Sequence, residues 1–249
     1  MSPRATLTGE ARHQPDQKPL TDNQGMSGTM TRGVSQLGFW SALIVLLGGI
    51  VYLVSIVWNS VGGFPYPPVS MTKTLAGITV LLMAPALIVL MACIHAYAPR
   101  NKKVLSQIGS MFLVAFAVIA LINRFLQFTV LGQQSDGLAL FDLYNLHSVA
   151  LALEMLSWGF FLGLATLFVA PVFVGGTLEH WIRRLLIING ILCIASGIGY
   201  VLANQVGAAN QMFSALEMGF GVLAWAVILP LATVLLAVLF KRLERRSEK

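Results

Sequence analysis

Six long runs of apolar residues, separated by short polar segments, follow one another after residue 37. They lie near 38–58, 75–97, 105–131, 146–174, 185–203 and 213–240. A helix rises about 1.5 Å per residue, so about 20 helical residues cross a hydrocarbon core of roughly 30 Å. None of the runs alternates polar with apolar positions, as the strands of a membrane β-barrel do. The pattern predicts an all-α fold, a polytopic membrane helix bundle with six transmembrane helices.

The composition agrees with a membrane protein. Apolar residues make up 57% of the chain, charged residues make up 10%, and the mean hydropathy is +0.78. A soluble domain has about 25% charged residues. Residues 1–36 are rich in Thr, Gln, Ser, Gly and Pro, which predicts a disordered cytoplasmic tail. The six-helix transmembrane domain is then expected at 37–241, with a short basic cytoplasmic tail at 242–249.

The basic residues predict how the chain is oriented. All but two of the 16 Lys and Arg residues fall in the two tails, in the connection from the second to the third run, or in the connection from the fourth to the fifth. Lys and Arg accumulate in short cytoplasmic loops, so both termini are predicted to be cytoplasmic in an inner (plasma) membrane. This topology accounts for the pI of about 9.6. The expected partner is therefore the lipid bilayer, and the charge gives no reason to expect nucleic acid.

Three ionisable residues, Arg124, Glu154 and Glu217, lie inside predicted spans. Counted from the span ends, all three fall in the outer half of the membrane, roughly 6–12 Å below its surface. Charges in a bilayer are costly, and they often mark functional sites. One guanidinium cannot balance two carboxylates. One glutamate should therefore be protonated, hydrated or satisfied by another partner.

These charges predict a polar cavity in the outer half of the membrane that takes a small solute or a proton. Its lining would be Asn123, Arg124, Gln127, His147, Glu154 and Glu217. Asn123 and Gln127 are one helical turn apart, and His147 precedes Glu154 by two turns. The predicted function is a small-solute or proton carrier or sensor. The alternative is a structural or regulatory membrane subunit whose buried charges only clamp helices together.

Sequence motifs for catalysis and for cofactors are missing. The chain contains no H-E-x-x-H and no G-x-S-x-G. His95 and His147 lie near opposite membrane faces, so they cannot bind one haem. Cys93 and Cys193 form no C-x-x-C and are interpreted as buried free thiols. We therefore predict no cofactor, no metal and no catalytic residue, and an enzyme is the least supported class.

Two tryptophans and the two copies of a short repeat lie in the fourth and sixth predicted spans. Trp158 and Trp225 fall deep in the membrane, so each must pack against protein or find a partner for its indole N–H. The sequence Ala-Leu-Glu-Met occurs at 152–155 and again at 215–218. Both copies come early in a span that enters from outside, which fits either a parallel repeat of two-helix units or chance.

Small residues at helical spacing predict that the fourth, fifth and sixth spans pack together. Such residues let two backbones approach closely. They are Gly159 and Gly163 in the fourth span, Ala195, Gly199 and Ala203 in the fifth, and Ala215 and Gly219 in the sixth.

Two stretches carry a resemblance to known proteins. Residues 49–55 (GIVYLVS) and 190–200 (GILCIASGIGY) resemble segments of bacterial multipass inner-membrane proteins grouped under domains of unknown function. By pattern the resemblance covers most of the spans, and by residue it covers these two stretches. It implies a bacterial inner-membrane location and brings no activity and no site residues with it.

Overall fold

The computed structural model describes residues 30–61, 70–130, 139–142, 148–206 and 219–247. All regular structure within these ranges is helical, and six helices are long and apolar enough to cross a membrane. They are α1 (Arg32–Val61), α2 (Ser70–Tyr97), α3 (Lys103–Thr129), α4 (Val149–Val172), α5 (Thr177–Val206) and α6 (Gly219–Arg246). The predicted all-α bundle with six spans is confirmed. The chain is a multipass membrane protein, and its orientation stays a prediction.

Several helices extend past the apolar runs that predicted them. Helix α1 begins at Arg32 rather than at 38, α5 begins at Thr177 rather than at 185, and α6 ends at Arg246 rather than at 240. Hydropathy reports the thickness of the apolar layer, whereas Leu, Arg and Glu are good helix formers that continue a helix beyond it. Residues 32–36 and 242–246, predicted as parts of the two tails, are therefore helical. Residues 1–29 lie outside the described ranges.

Two short turns connect neighbouring helices at one end of the bundle. Between α2 and α3 the chain passes through Pro99 and a single 3-10 turn, Arg100–Lys102. The Nζ atom of Lys103 donates to the carbonyl oxygen of His95 at 2.6 Å, which satisfies an acceptor in the last turn of α2. Between α4 and α5, Gly175 has φ +141°, a conformation that side chains disfavour.

The six helices form a closed ring in chain order. Each helix packs against the next, and α6 returns to pack against α1. The even-numbered helices contribute more to the core: within an apolar 18-residue stretch of each helix, 61% of residues are buried in α2, 56% in α4 and 44% in α6, against 28% in α1 and 33% in α3 and in α5. The odd-numbered helices therefore present more of their apolar surface to lipid.

Glycines bring α4 and α5 into backbone contact. A Cβ atom at Gly159 would lie 2.8 Å from the Cα of Gly197, and one at Gly163 would lie 3.1 Å from the carbonyl oxygen of Gly190. The predicted contact of the fourth and fifth spans is therefore real, but Gly197 and Gly190 are the partners on α5. Gly219 does not take part, because a Cβ atom there would meet nothing within 4 Å.

We expect Gly159→Ala to destabilise the bundle by about 1–3 kcal/mol, because the added methyl group must push α4 away from the backbone of α5. The melting temperature in detergent, followed by tryptophan fluorescence, measures the effect. Gly219→Ala is the matched control, and it should leave the melting temperature unchanged or raise it slightly. Equal effects of the two substitutions would contradict the α4–α5 contact.

Candidate functional site

Two antiparallel neighbours, α3 and α4, bring together one arginine and one glutamate. Arg124 lies five residues before α3 ends at Thr129, and Glu154 lies five residues after α4 begins at Val149. Each is thus about 7.5 Å from its helix end. The two residues lie at one depth, as the span boundaries predicted. We call this end of the bundle the Glu154 end.

The two side chains form a buried ion pair. The Nη2 atom of Arg124 donates to Oε1 of Glu154 at 2.5 Å. Both residues are 4% exposed. Because the pair is removed from water, each charge depends on the other and on nearby hydrogen-bond donors for its stabilisation.

Two further donors complete the surroundings of the carboxylate. The indole Nε1 of Trp158 donates to Oε1 of Glu154 at 2.8 Å. The Nδ2 atom of Asn123 donates to Oε2 at 3.0 Å and also to the carbonyl oxygen of Ala150 at 3.1 Å. Both carboxylate oxygens are therefore hydrogen-bonded by groups of α3 and α4. Hydrogen bonds to a carboxylate stabilise its charged form.

The local sequence of α4 explains how Trp158 reaches the carboxylate. Ser148 caps the helix by accepting a hydrogen bond from the amide of Leu151 at 3.0 Å. Glu154 and Trp158 are four residues apart, so their side chains lie on one face. From Leu156 to Phe161 the helix widens into a π-helical segment. Such segments are frequent at functional sites.

The ring of Trp158 sits between two other aromatic rings. Its centroid lies 4.8 Å from that of Phe116 on α3, with the planes at 82°, and 5.0 Å from that of Trp225 on α6. The prediction that a deep tryptophan packs against protein or finds a partner for its N–H is confirmed for Trp158, which does both. Through Trp225 this contact joins α4 to α6 inside the ring of helices.

The structure brings together three of the six residues predicted to line a cavity: Asn123, Arg124 and Glu154. Gln127, one turn further along α3, instead donates through Nε2 to the carbonyl oxygen of Phe141 at 3.0 Å. This hydrogen bond joins α3 to Phe141 in the connection that follows it. His147 and Glu217 lie outside the described residues, so the prediction of a surplus carboxylate stays a prediction.

Two contributors to the site were missed by the sequence analysis. Trp158 could have been assigned, since a donor four residues after an intramembrane glutamate lies on the same helical face. Tyr52 on α1 could not, because the register between non-adjacent helices is not written in either helix. Its phenol lies within electrostatic range of both Arg124 and Glu154. A residue of a third helix thus lies within electrostatic range of the ion pair.

Polar contacts also join helices at the end of the bundle opposite the Glu154 end. The Nε2 atom of Gln36 on α1 donates to Oε1 of Glu244 on α6 at 2.9 Å, and Nζ of Lys241 donates to Oε2 at 2.8 Å. His95 Nδ1 and Ser106 Oγ, 2.7 Å apart, join α2 to α3. The Gln36–Glu244 contact closes the ring of helices between its first and last members.

The cysteines and the potential metal ligands are the other reactive side chains of the chain. In the described ranges no three His, Cys, Asp or Glu side chains cluster closely enough to hold a metal ion. Cys93 and Cys193 are free and buried, which confirms their interpretation as unpaired thiols. Comparisons with protein-family models, with curated proteins and with solved structures found no match to this chain. The resemblance to bacterial multipass proteins therefore stays a prediction.

Proposed function

We propose that this chain is a structural or regulatory subunit that packs against other membrane proteins, and that its buried ion pair clamps helices together. One observation carries the proposal: both oxygens of Glu154 are already bonded by Arg124, Asn123 and Trp158. A solute would have to displace donors that belong to the fold. This arrangement is what a clamp between α3 and α4 requires.

A proton-flux measurement with and without the ion pair tests whether the pair only clamps helices or also supports transport. The purified chain is reconstituted in liposomes that enclose a pH-sensitive dye, beside the variant Arg124→Met/Glu154→Gln, which lacks both charges. We expect both proteins to give the proton leak of empty liposomes when a pH gradient is imposed. A leak above the empty-liposome value in the parent that the double variant loses would overturn the proposal.

A matching measurement tests for the role of a subunit. The parent and the double variant are each captured from native membranes in a mild detergent, and the proteins that co-purify with each are quantified. A subunit whose charges only clamp helices should retain the same partners in both forms. Capture of the chain alone, without any stoichiometric partner, would count against a subunit.

A small-solute or proton carrier or sensor is the second candidate, favoured by the position of Tyr52. A phenol on α1 within electrostatic range of the ion pair would let a change of charge at Glu154 act on three helices. Under this hypothesis Tyr52→Phe should change the pH dependence of any flux, whereas a clamp predicts no flux to change. The same liposome assay distinguishes the two candidates.

A further inference from the structure

A second buried polar cluster lies between α5 and α6, away from the ion pair. On α5, Asn189, Cys193 and Ser196 follow one another at helical spacing, and they are 0%, 0% and 1% exposed. Residues four and three apart share one helix face. The Nδ2 atom of Asn189 approaches Sγ of Cys193 at 3.6 Å. The side chain of Trp225 on α6 also lies beside this sulfur.

Two atoms of this cluster lack a proper hydrogen bond. Within the part of the chain that the structure describes, Oδ1 of Asn189 and Nε1 of Trp225 are buried and have no partner of ordinary geometry. An unsatisfied buried polar group costs about 1–3 kcal/mol. One atom is an acceptor and the other a donor, and both belong to side chains that face Cys193. A single small group placed there could bond to both.

Comparison of α4 with α6 shows why Trp225 lacks a partner. Trp225 follows Trp158 by 67 residues, and the π-helical segment Leu223–Ile228 follows Leu156–Phe161 by the same number. Both tryptophans begin the pattern W-x-x-x-L-x-L-A-T. The buried threonines that end the pattern bond alike, to the carbonyl three residues earlier, at 3.0 and 2.8 Å.

The two copies of the pattern differ at the hydrogen-bond partner of the tryptophan. Trp158 donates to Glu154 one turn earlier. At the matching place before Trp225 stands Gly221, which has no side chain to accept a hydrogen bond, and a Cβ atom there would lie 3.2 Å from the six-membered ring of Trp225. The side chain of Trp225 instead lies beside Cys193 on α5, whose sulfur is a weak acceptor.

We propose that this cluster binds the hydroxyl group of a small neutral molecule, with Asn189 and Trp225 as its two hydrogen-bond partners. A hydroxyl oxygen accepts from the indole N–H while its proton is donated to Oδ1 of Asn189. Exchanging the oxygen and nitrogen of the Asn189 amide leaves an open donor instead, which a hydroxyl also satisfies. No charged residue occurs in 185–206 or in 219–240, so the apolar surroundings favour a neutral ligand.

Two sources can supply such a group: a buried water, or the hydroxyl of a short alcohol-like molecule from the membrane. Water is the smallest source, and buried waters typically bridge otherwise unsatisfied polar groups. Both sources make the same two hydrogen bonds. They differ in whether carbon atoms follow the oxygen, so experiment can distinguish them.

The decisive test is a crystal structure of the parent protein at a resolution that shows ordered water. We expect a non-protein density peak within hydrogen-bond distance of both Nε1 of Trp225 and the amide of Asn189. An isolated peak identifies water, and a peak continuing into further density identifies an alcohol-like molecule. Well-ordered side chains with no peak between them would overturn the proposal.

A double-mutant cycle tests the same site in solution. Asn189→Leu and Trp225→Phe each remove one partner of the hydroxyl, so the double variant should lose less stability than the two single variants together. We expect the melting temperatures to differ from additivity by about 2–4 °C, the shift typical of 1 kcal/mol in a protein of this size. Asn189→Leu combined with Trp40→Phe, at a tryptophan that is 59% exposed on α1, is the control cycle. Coupling no larger than in the control cycle would overturn the proposal.

Adding ethanol, propanol or butanol to the parent and to the Asn189→Leu/Trp225→Phe variant then identifies the source in solution. If coupling is present, a rise in melting temperature confined to the parent indicates an alcohol-like ligand. Equal responses of both proteins indicate that water occupies the site.

Discussion

Glu154→Gln is expected to lower the free energy of unfolding by about 3 kcal/mol, the largest effect of any single substitution predicted for this chain. The substitution keeps the size of the side chain but removes its charge. Arg124, which is 4% exposed, then stays buried without that counter-charge. Because a guanidinium cannot release its proton in a protein, Arg124 keeps its charge in the variant. Unfolding in mixed micelles with increasing SDS, followed by tryptophan fluorescence, measures the change.

The partner substitution Arg124→Met should cost less than Glu154→Gln. Glu154 would keep its hydrogen bonds from Asn123 and Trp158, and a carboxylate can take up a proton when its counter-charge is gone. Glu179→Gln, in the first turn of α5, is the matched control. A half-buried glutamate outside the ion pair should change the stability by no more than about 0.5 kcal/mol. If Glu154→Gln behaved like Glu179→Gln, the clamp would be refuted.

The parts of the structure that the sequence predicted depend on single helices. Six apolar runs identify six spans because every backbone group in lipid must be bonded within its own helix. The shared depth of Arg124 and Glu154 follows from counting residues from the span ends. The need of Trp158 for a partner follows from its depth, and its spacing from Glu154 could also have identified that partner, although the sequence analysis did not use it. Each of these properties can be predicted from the sequence of individual helices, without knowing how the helices pack.

The parts that the sequence did not predict depend on how separate helices face each other. Tyr52 lies within electrostatic range of the ion pair, and nothing in residues 49–55 predicts that this side chain is oriented towards α3 and α4. The open N–H of Trp225 depends on α5 presenting Cys193 and Asn189 opposite it. Gln127, one turn from Asn123 on α3, donates to the carbonyl oxygen of Phe141 in a connecting segment whose path the sequence does not predict. Contacts between helices are set by packing of the whole ring.

The π-helical segments show how a pattern within single helices affects a contact between helices. The recurrence of Ala-Leu-Glu-Met at a spacing of 63 suggested a repeat, whereas the structure repeats at a spacing of 67, from one tryptophan to the other. The four-residue difference is about one helical turn. It leaves Trp225 without the acidic partner that Trp158 has. The polar cluster on α5 lies opposite α6, where this partner is missing.

The double variant Arg124→Met/Glu154→Gln is expected to recover most of the stability that Glu154→Gln loses. Removing one member of a buried ion pair leaves the other without that counter-charge, whereas removing both abolishes the desolvation cost of each, and such replacements are often neutral or stabilising. The glutamine at position 154 keeps an oxygen for the indole of Trp158. Asn123 keeps its bond to the carbonyl of Ala150 at 3.1 Å. The double variant should therefore unfold within about 1 kcal/mol of the parent.

This recovery separates a clamp from a site that needs its charge. The double variant must be compared with both single variants in the same SDS titration, because the prediction concerns the departure from additivity: the sum of the single losses should exceed the double loss by about 2 kcal/mol or more. A loss in the double variant equal to that sum would mean that the two charges stabilise the bundle independently, and the ion pair would not be the clamp between α3 and α4. Recovered stability together with unchanged partners in the membrane would leave the charges no role beyond holding the two helices in place.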